Sequence, residues 1–401
     1  MLIRLAIRNL LRNPRRTVAV LLTIAMGTGS LFLFHGFNAG IMNQYRDNTI
    51  HARFGHGQVN TRGYRDQVFE RPREHWIADW KSVGSRLGRV PGVEFLFPRL
   101  GFAALLTNGR VTLSGRGEAI EGPAESHFFT TLNVIEGKAL AGEPDGILIG
   151  RGLAHALDVH HGDKLAVVVQ DEDGGINRVE LKVVGVFHTG LREIDDTLFR
   201  IPLAQGQKLL GTDRVELIAV GLRAIDDWEA VRQVVDSEFP ALEATPFAEL
   251  DKVYYQHSVD WLAAQFAVIR LIILGIVVLG IFNTVSTSVL ERKREIGNLR
   301  ANGESVAEVM WLLALEGAAL GVLGATLGIV LALGLDATLL REGILMPPAP
   351  GITRQFNVLI EFQPAMAVLA FFLGTVATLI ATMMAGVRVA RMPIGEALRA
   401  V

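Results

Sequence analysis

Four stretches of this chain lack Asp, Glu, Lys and Arg for long enough to cross a bilayer. Residues 17–45 run 29 positions, 271–290 run 20, 317–335 run 19 and 362–387 run 26. A membrane helix needs about 20 apolar residues, because the hydrocarbon core is about 30 Å thick and each helical residue rises about 1.5 Å. The third run is preceded by apolar residues 309–315 and interrupted only by Glu316. Between the first and second runs the texture changes. Gly, Pro, Asp and Glu return and apolar runs shorten. Segments 94–106 and 110–114 flank Asn108-Gly109, a tight-hairpin dipeptide, and segments 164–170 and 176–187 flank the turn Asp173-Gly174-Gly175. Val179, Leu181 and Val183 alternate as in a strand with one buried face. Short helices are expected at 74–88, 151–157, 203–210 and 226–238. The pattern predicts an integral membrane α-helical protein of four transmembrane helices, with a large extracytoplasmic α+β domain between helices 1 and 2. A second lobe of that domain is expected around 120–200.

Lys and Arg orient this layout. Arg4, Arg8, Arg12, Arg15 and Arg16 precede the first run, Arg292, Lys293, Arg294 and Arg300 lie between the second and third, and Arg388, Arg391 and Arg399 follow the fourth. The loop between the third and fourth runs holds only Arg341 and Arg354. The positive-inside rule then puts both termini and the 291–305 joint in the cytoplasm. The expected segments are a cytoplasmic amphipathic helix (1–16), helix 1 (17–45), the outer domain (46–262) and helix 2 (263–290). A cytoplasmic joint (291–305), helix 3 (306–335), an outer loop (336–361), helix 4 (362–387) and a cytoplasmic tail (388–401) follow. Arg4, Arg8, Arg12 and Arg15 share one helical face, which suits a helix lying on anionic lipid headgroups as well as a plain orientation signal. The first run is too long for the apolar core of a cleaved signal peptide and is expected to remain as an anchor.

Composition adds exclusions. The net charge is −2 and there is no cysteine. Half the residues are hydrophobic, and mean hydropathy is +0.34. That is too apolar for an ordinary soluble protein and too polar for membrane helices alone. A chain without cysteine has no disulfide scaffold, thiolate zinc site, iron–sulfur cluster or thiol nucleophile. Near-neutrality speaks against nucleic acid as a main partner.

The outer domain offers no catalytic set. His155, His160 and His161 near Asp163, and His51 with His56, read as solvated polar residues rather than metal ligands. Glu193, Asp195 and Asp196 read as a solvated loop. There is no Gly-x-Ser-x-Gly elbow and no phosphate-cradling Gly-x-x-x-x-Gly-Lys-[Ser/Thr] loop. In the membrane runs, Glu316 needs a partner or a protein interface, since a charge near the bilayer centre costs roughly 2.5–3.5 kcal/mol. Gly317 and Gly321, then Gly324 and Gly328, form small-x-x-x-small ridges that let another helix, from this chain or a second copy, approach closely. Arg270 is expected to reach the outer headgroups, and Asn283, Thr284, Ser286, Thr287 and Ser288 bring polarity to the inner half of helix 2. No series of membrane acids suggests a proton-coupled carrier.

The joint is the most informative segment. Residues 288–305 read Ser-Val-Leu-Glu-Arg-Lys-Arg-Glu-Ile-Gly-Asn-Leu-Arg-Ala-Asn-Gly-Glu-Ser. Ile296 and Leu299, three apart on a short helix, would make an apolar tooth for a partner's groove, with charges pairing around its rim. The segment resembles the Glu-Arg-x-Arg-Glu-Ile-Gly-x-Leu-Arg-Ala-x-Gly signature of ABC transporter permeases of the LolC/LolE, MacB and FtsX class. Glu291, Arg292, Arg294, Glu295, Ile296, Gly297, Leu299, Arg300, Ala301 and Gly303 match, while Asn302 and Glu304 depart from it. The opening 6–17, the closing 392–399, the segment 55–59 and the segment 150–154 with Leu157, Gly162 and Asp163 are also similar to this class. The last two look most like its lipoprotein-releasing branch.

The resemblance implies a MacB-like periplasmic core over 46–262 and a coupling helix that docks on a separate ABC ATPase. It implies two ATPase copies and a second permease subunit, as a homodimer or with a paralogue, in a bacterial inner membrane. The chain would bind no cofactor itself, ATP and Mg belonging to the ATPase. By the family's mechanotransmission, of the type VII kind, ATP-driven closure would push the joint, and a long helix over 256–290 would carry the movement outward. A lipoprotein or other periplasmic or outer-leaflet substrate would be expelled, with membrane lipids around the site. Phe32, Phe34, Phe37, Phe266 and Ile269 are the candidate substrate contacts, and each also fits ordinary packing. A macrolide or peptide exporter with a periplasmic adaptor, an FtsX-like regulator of wall hydrolases and a membrane-anchored enzyme are the alternatives.

Overall fold

In the computed structural model the described residues are 13–68, 72–130, 132–171, 174–252, 257–347 and 355–399. Most of the expected helix over 1–16 therefore lies outside the described residues. Helix α1 (Pro14–Thr49) starts on a proline, which suits the first turn because its missing N–H would have no intrahelical partner. The helix widens into a π-turn over Ile50–Phe54 and stops at Gly55, whose φ of 68° is left-handed backbone that glycine adopts without strain. It outlasts the uncharged run because 36 residues extend about 54 Å, well beyond a bilayer core.

The residues between the first and second long helices build one ten-stranded mixed sheet. Its strands are β1 (Gly57–Thr61), β2 (Val93–Thr107), β3 (Thr112–Ile120), β4 (Asn133–Gly137), β5 (Gly146–Gly150), β6 (Lys164–Gln170), β7 (Ile176–His188), β8 (Leu198–Pro202), β9 (Leu217–Leu222) and β10 (Leu242–Pro246). The order is β10-β1-β9-β2-β3-β8-β5-β7-β4, and β6 bridges β2 and β7. β3–β8 and β5–β7 are parallel; the other pairings are antiparallel. The region around 120–200, expected as a separate lobe, continues the same sheet.

Local sequence explains the hairpins. Asn108 Oδ1 accepts from the N–H groups of Arg110 and Val111, each at 2.8 Å, and Gly109 takes φ 89°. Leu181 and Val183 are buried while Glu180 and Lys182 are exposed, the period-two pattern of a one-faced strand. Short helices at Trp80–Leu87, Arg151–Leu157, Leu203–Leu210 and Trp228–Glu238 cover the sheet, and Phe199, Ile147, Ile149, Leu100 and Leu106 fill its core.

The membrane unit continues with α2 (His257–Leu290), α3 (Lys293–Ala301), α4 (Val306–Thr338), α5 (Pro364–Ala390) and α6 (Ile394–Arg399). Gly303, at φ 100°, ends α3 in a turn where Glu304 N–H reaches Leu299 O at 3.2 Å. Two residues later Ser305 opens α4 with a capping box: its hydroxyl accepts from Glu308 N–H, and the Glu308 carboxylate accepts from Ser305 N–H at 2.8 Å. Gly-x-Ser-x-x-Glu thus breaks one helix and starts the next. Thr378 and Thr382, buried on α5, return their hydroxyls to the carbonyls of Gly374 and Thr378 at 2.7 and 2.8 Å, so neither faces apolar surroundings unpaired. α1, α2, α4 and α5 each meet the length and hydropathy of a membrane span.

Candidate coupling site

Arg292, the residue before α3, is the centre of a polar knot at the basic end of the membrane helices. Its guanidinium donates from both terminal nitrogens to the Glu316 carboxylate on α4, one bond at 3.3 Å and the other shorter. Its Nε donates to Glu295 on α3 at 2.9 Å. Glu316 is 3% exposed, so the carboxylate sits away from solvent inside a fork-to-fork pair. From α1, Arg16 Nε donates to Ser288 Oγ on α2 at 2.6 Å and lies 3.9 Å from Glu291. A cavity of about 40 Å³ lies among these groups, with Thr382 on its wall. Glu316 was expected at an interface. Its partner is the first arginine of the joint in the same chain, and the charge that would be costly alone is neutralised there.

α3 is two-faced. Ile296 is 2% exposed and packs with Val309, Leu313, Ala385 and Val389; Leu299 packs against the same cluster. The apolar tooth expected to enter a partner's groove is thus used within the chain. The reason is geometric: α3 lies against α5 and α6, and the only apolar stripe of a short helix turns to the nearest apolar surface. Gly297 is buried beside Ile296, and Arg300 donates to Ala390 O at the end of α5. The open face carries Glu291, Arg294, Asn298, Ala301 and Gly303. Arg294, Asn298 and Ala301 follow helical spacing of four and three, so a polar stripe points away from the bundle.

The sheet domain buries ionic groups that sequence reasoning missed. Arg99 holds both oxygens of Glu125, at 2.6 and 2.7 Å, and donates to Arg53 O at 2.6 Å. Arg200 donates to Glu118 at 3.1 Å. Burial alone would raise Glu118, but Arg200, Arg99, Arg116 and Arg53 outweigh it and hold the carboxyl down at about 2. The partners of these pairs are 26 and 82 residues apart in sequence, and no local motif marks them. Asp195, read from sequence as part of a solvated loop, is buried instead: it accepts from Thr189 N–H at 2.8 Å and Thr189 Oγ1 at 2.9 Å, and meets His188 Nδ1 at 2.6 Å. Two local donors within six residues reward turning it inward, while Glu193 and Asp196 stay exposed. His160 and His161 direct their backbone N–H groups to Asp163 and Glu136. Among the described residues no group of three or more His, Cys, Asp or Glu is placed to hold a metal. His56 Nδ1 accepts from Leu222 N–H at 3.0 Å.

Two family models match. Residues 17–238 match the MacB-like periplasmic core domain, and residues 267–394 match the FtsX-like permease C-terminal region. The chain belongs to the FtsX-like permease family. Its relatives include the lipoprotein-releasing system transmembrane protein LolE of Haemophilus influenzae, 22% identical over 68% of either chain. The corresponding LolC of Neisseria meningitidis is 26% identical over 78% of this chain and 75% of that one. The pyoverdine export ATP-binding/permease protein PvdT of Pseudomonas syringae is 26% identical over 90% of this chain and 57% of that one. The protein is therefore an ABC transporter permease of the LolC/LolE, MacB and FtsX type, with four membrane helices and a periplasmic-type α+β domain between the first two.

Within the permease, both glycine ridges of α4 are used in the same chain. A β-carbon at Gly317 would stand 2.6 Å from Thr382 Oγ1, and one at Gly321 would stand 2.9 Å from Thr375 Cα, both on α5. At Gly324 and Gly328 it would meet α1, at 2.7 Å from Ile24 Cβ and 2.9 Å from Ala25 Cα. α4 is thus the strut on which α1 and α5 close. The candidate substrate contacts divide. Phe32 is 4% exposed, packed with Ala332 and Ala370, and is a core residue rather than a contact. Phe34 meets Phe266 edge-on at 6.1 Å, tying α1 to α2. Phe37 is half-buried, and Ile269 is exposed on α2.

Proposed function

We propose that this permease is the membrane subunit of an ATP-driven complex that releases or translocates lipoproteins from a bacterial inner membrane. The observation that carries the reading is the two-faced α3, anchored to α4 through Arg292–Glu316 and presenting a polar stripe outward. A separate ABC ATPase, two copies to a pair of permeases, would grip that stripe, and ATP and Mg would reside on it. The second permease would be a copy of this chain or a paralogue. The arginine pattern supports cytoplasmic termini and a periplasmic sheet domain. A push on α3 reaches α4 directly through the ion pair. It reaches α2 through the two-residue link Glu291-Arg292, and α2, at about 51 Å for 34 residues, is long enough to carry it beyond the bilayer. Lipoprotein as cargo is supported by the LolE and LolC relatives.

The test separates the two faces of α3. Arg294→Glu with Asn298→Glu changes only exposed positions. It is expected to abolish co-purification with the ATPase subunit while the permease still inserts and elutes as a single species. Undiminished ATPase co-purification would remove the coupling assignment. Export of a small molecule is the second reading, favoured by the PvdT match over 90% of this chain. Loss of lipoprotein release from spheroplasts on depletion of the permease separates the two. Unaltered release would favour export, or the wall-hydrolase role if wall turnover changed.

A further inference from the structure

Three of the four membrane helices touch backbone to backbone. A β-carbon at Gly29 on α1 would stand 2.9 Å from Gly328 O on α4, and the glycine ridges of α4 press on α1 and α5. Gly374 of α5 closes the triangle against Thr28 of α1. At the outer end the segment 358–361, which leads into α5, crosses α1 at Gly36 and Gly40, one turn apart. Gly36 O accepts from Glu361 N–H at 3.0 Å, Gly40 lies against Leu359 O, and Asn43 Nδ2 donates to the Glu361 carboxylate. Val358, beside Gly40, is fully buried. The segment is a clasp on α1, and a β-carbon at either glycine would lift it off.

α2 is held differently. Of its most apolar stretch 6% is buried, against 39%, 33% and 28% in α1, α4 and α5. It meets its neighbours through side chains: Ile281 and Val285 among Val20, Ile24 and Leu320, Phe266 edge-on to Phe34, and Val277 in the notch of Gly27. Side chains on such a seam change rotamer and let helices shear by about 1–2 Å, whereas backbone seated on backbone must separate before it slides. α3 is fixed to the clasped helices through Ile296 and through Arg292–Glu316, and α2 joins that cluster only with its last turn, Val289 and Leu290. We propose that α1, α4 and α5, held by the 358–361 clasp, move as one body when α3 is pushed, and that α2 shears against this body along the α1–α2 seam, pivoting at its inner end. The sheet domain is inserted between α1 and α2, so a shear between them acts on both ends of that domain's chain. The inference rests on the coupling reading of α3 and adds to it which helices travel together.

The chain has no cysteine, so paired cysteines can pin either contact alone. A β-carbon at Gly27 would stand 3.5 Å from Val277 Cβ, and one at Gly374 3.5 Å from Ala325 Cβ, both within disulfide spacing. Gly27→Cys with Val277→Cys bridges the seam. Gly374→Cys with Ala325→Cys bridges α4 to α5 inside the body; Thr28→Ser is added to remove the methyl that the new side chain would meet. ATP hydrolysis is measured on the full-length permease in nanodiscs with the ABC ATPase that co-purifies with it. Each variant is compared oxidised and reduced, with the native complex taken through the same oxidation. The seam disulfide is expected to lower permease-stimulated hydrolysis about tenfold or more, reversibly, and the body disulfide to leave it within about twofold. Asn43→Asp, which sets two carboxylates together in the clasp, is expected to lower stimulation several-fold, and Glu361→Gln added to it to restore stimulation with the hydrogen bond. That pair decides if a disulfide variant does not fold. A harmless seam disulfide, a body disulfide as damaging as the seam's, or full stimulation in Asn43→Asp would each overturn this proposal and leave the coupling reading standing. A native permease that binds no ATPase would overturn both.

Discussion

A lone carboxylate in a membrane helix costs roughly 2.5–3.5 kcal/mol, and Arg292 offsets that for Glu316. The two depend on each other unequally with burial. Glu316's side chain is 4% exposed and Arg292's is 17%, so losing the arginine leaves the more deeply buried charge bare. Removing either partner of a buried pair typically costs about 3–5 kcal/mol, whereas replacing both with apolar residues is often nearly neutral. Arg292→Leu is therefore expected to lower the thermal stability of the purified permease more than Arg292→Leu with Glu316→Leu. ATPase stimulation should be lost in both, since the apolar pair restores packing but not the directional link. A double variant as unstable as the single would show that the two side chains do not act as a unit.

At the scale of elements, α4 carries the sharpest contrast. Gly328 lies against the α1 backbone at Ala25, while a β-carbon at Gly334 on the same helix would meet nothing within 4 Å. Gly328→Val is expected to cost at least the upper end of the ~1–3 kcal/mol typical of overpacking, because backbone cannot step aside. Gly334→Ala is expected to stabilise by up to about 1 kcal/mol through helix propensity. Melting curves of the two variants in one detergent check both signs.

These elements also show what the sequence discloses. The membrane helices were legible because an uncharged run of 19 or more residues has few other uses. The hairpin at Asn108-Gly109 was legible because its turn chemistry is local. The orientation of Ile296 was not, since an apolar stripe does not say whether its groove belongs to the same chain or another. Nor were Arg99–Glu125 and Arg200–Glu118, 26 and 82 residues apart, which meet only once the sheet and the short helix Gly122–Phe128 are in place. Glu316 lay between these cases: its charge announced that a partner was needed, and only the fold supplied Arg292.

In the sheet domain burial holds His56, and neighbouring charges hold Glu118, below their ordinary values, which makes acid a probe of that domain. Burial, reinforced by the neighbouring His51, brings His56 down from 6.5 to about 4. The neutral ring is required, because Nδ1 accepts the Leu222 N–H of β9 and a protonated imidazole has no lone pair to offer. A folded value below the unfolded one means that the unfolded chain takes up the proton first. The stabilisation is therefore complete above about pH 6.5 and is lost as pH falls towards 4. Glu118 adds a second loss of the same sign, between 4.5 and about 2. Hydrogen exchange of the full-length permease, corrected for intrinsic rates, should show β1 and β9 losing protection between pH 7 and 5, with amides of α4 and α5 unchanged. His56→Gln, whose side-chain carbonyl accepts the same N–H and does not titrate, should remove that step while leaving the later one attributable to Glu118. Uniform loss of protection across both units, or a first step unaltered in His56→Gln, would place the acid-sensitive element elsewhere.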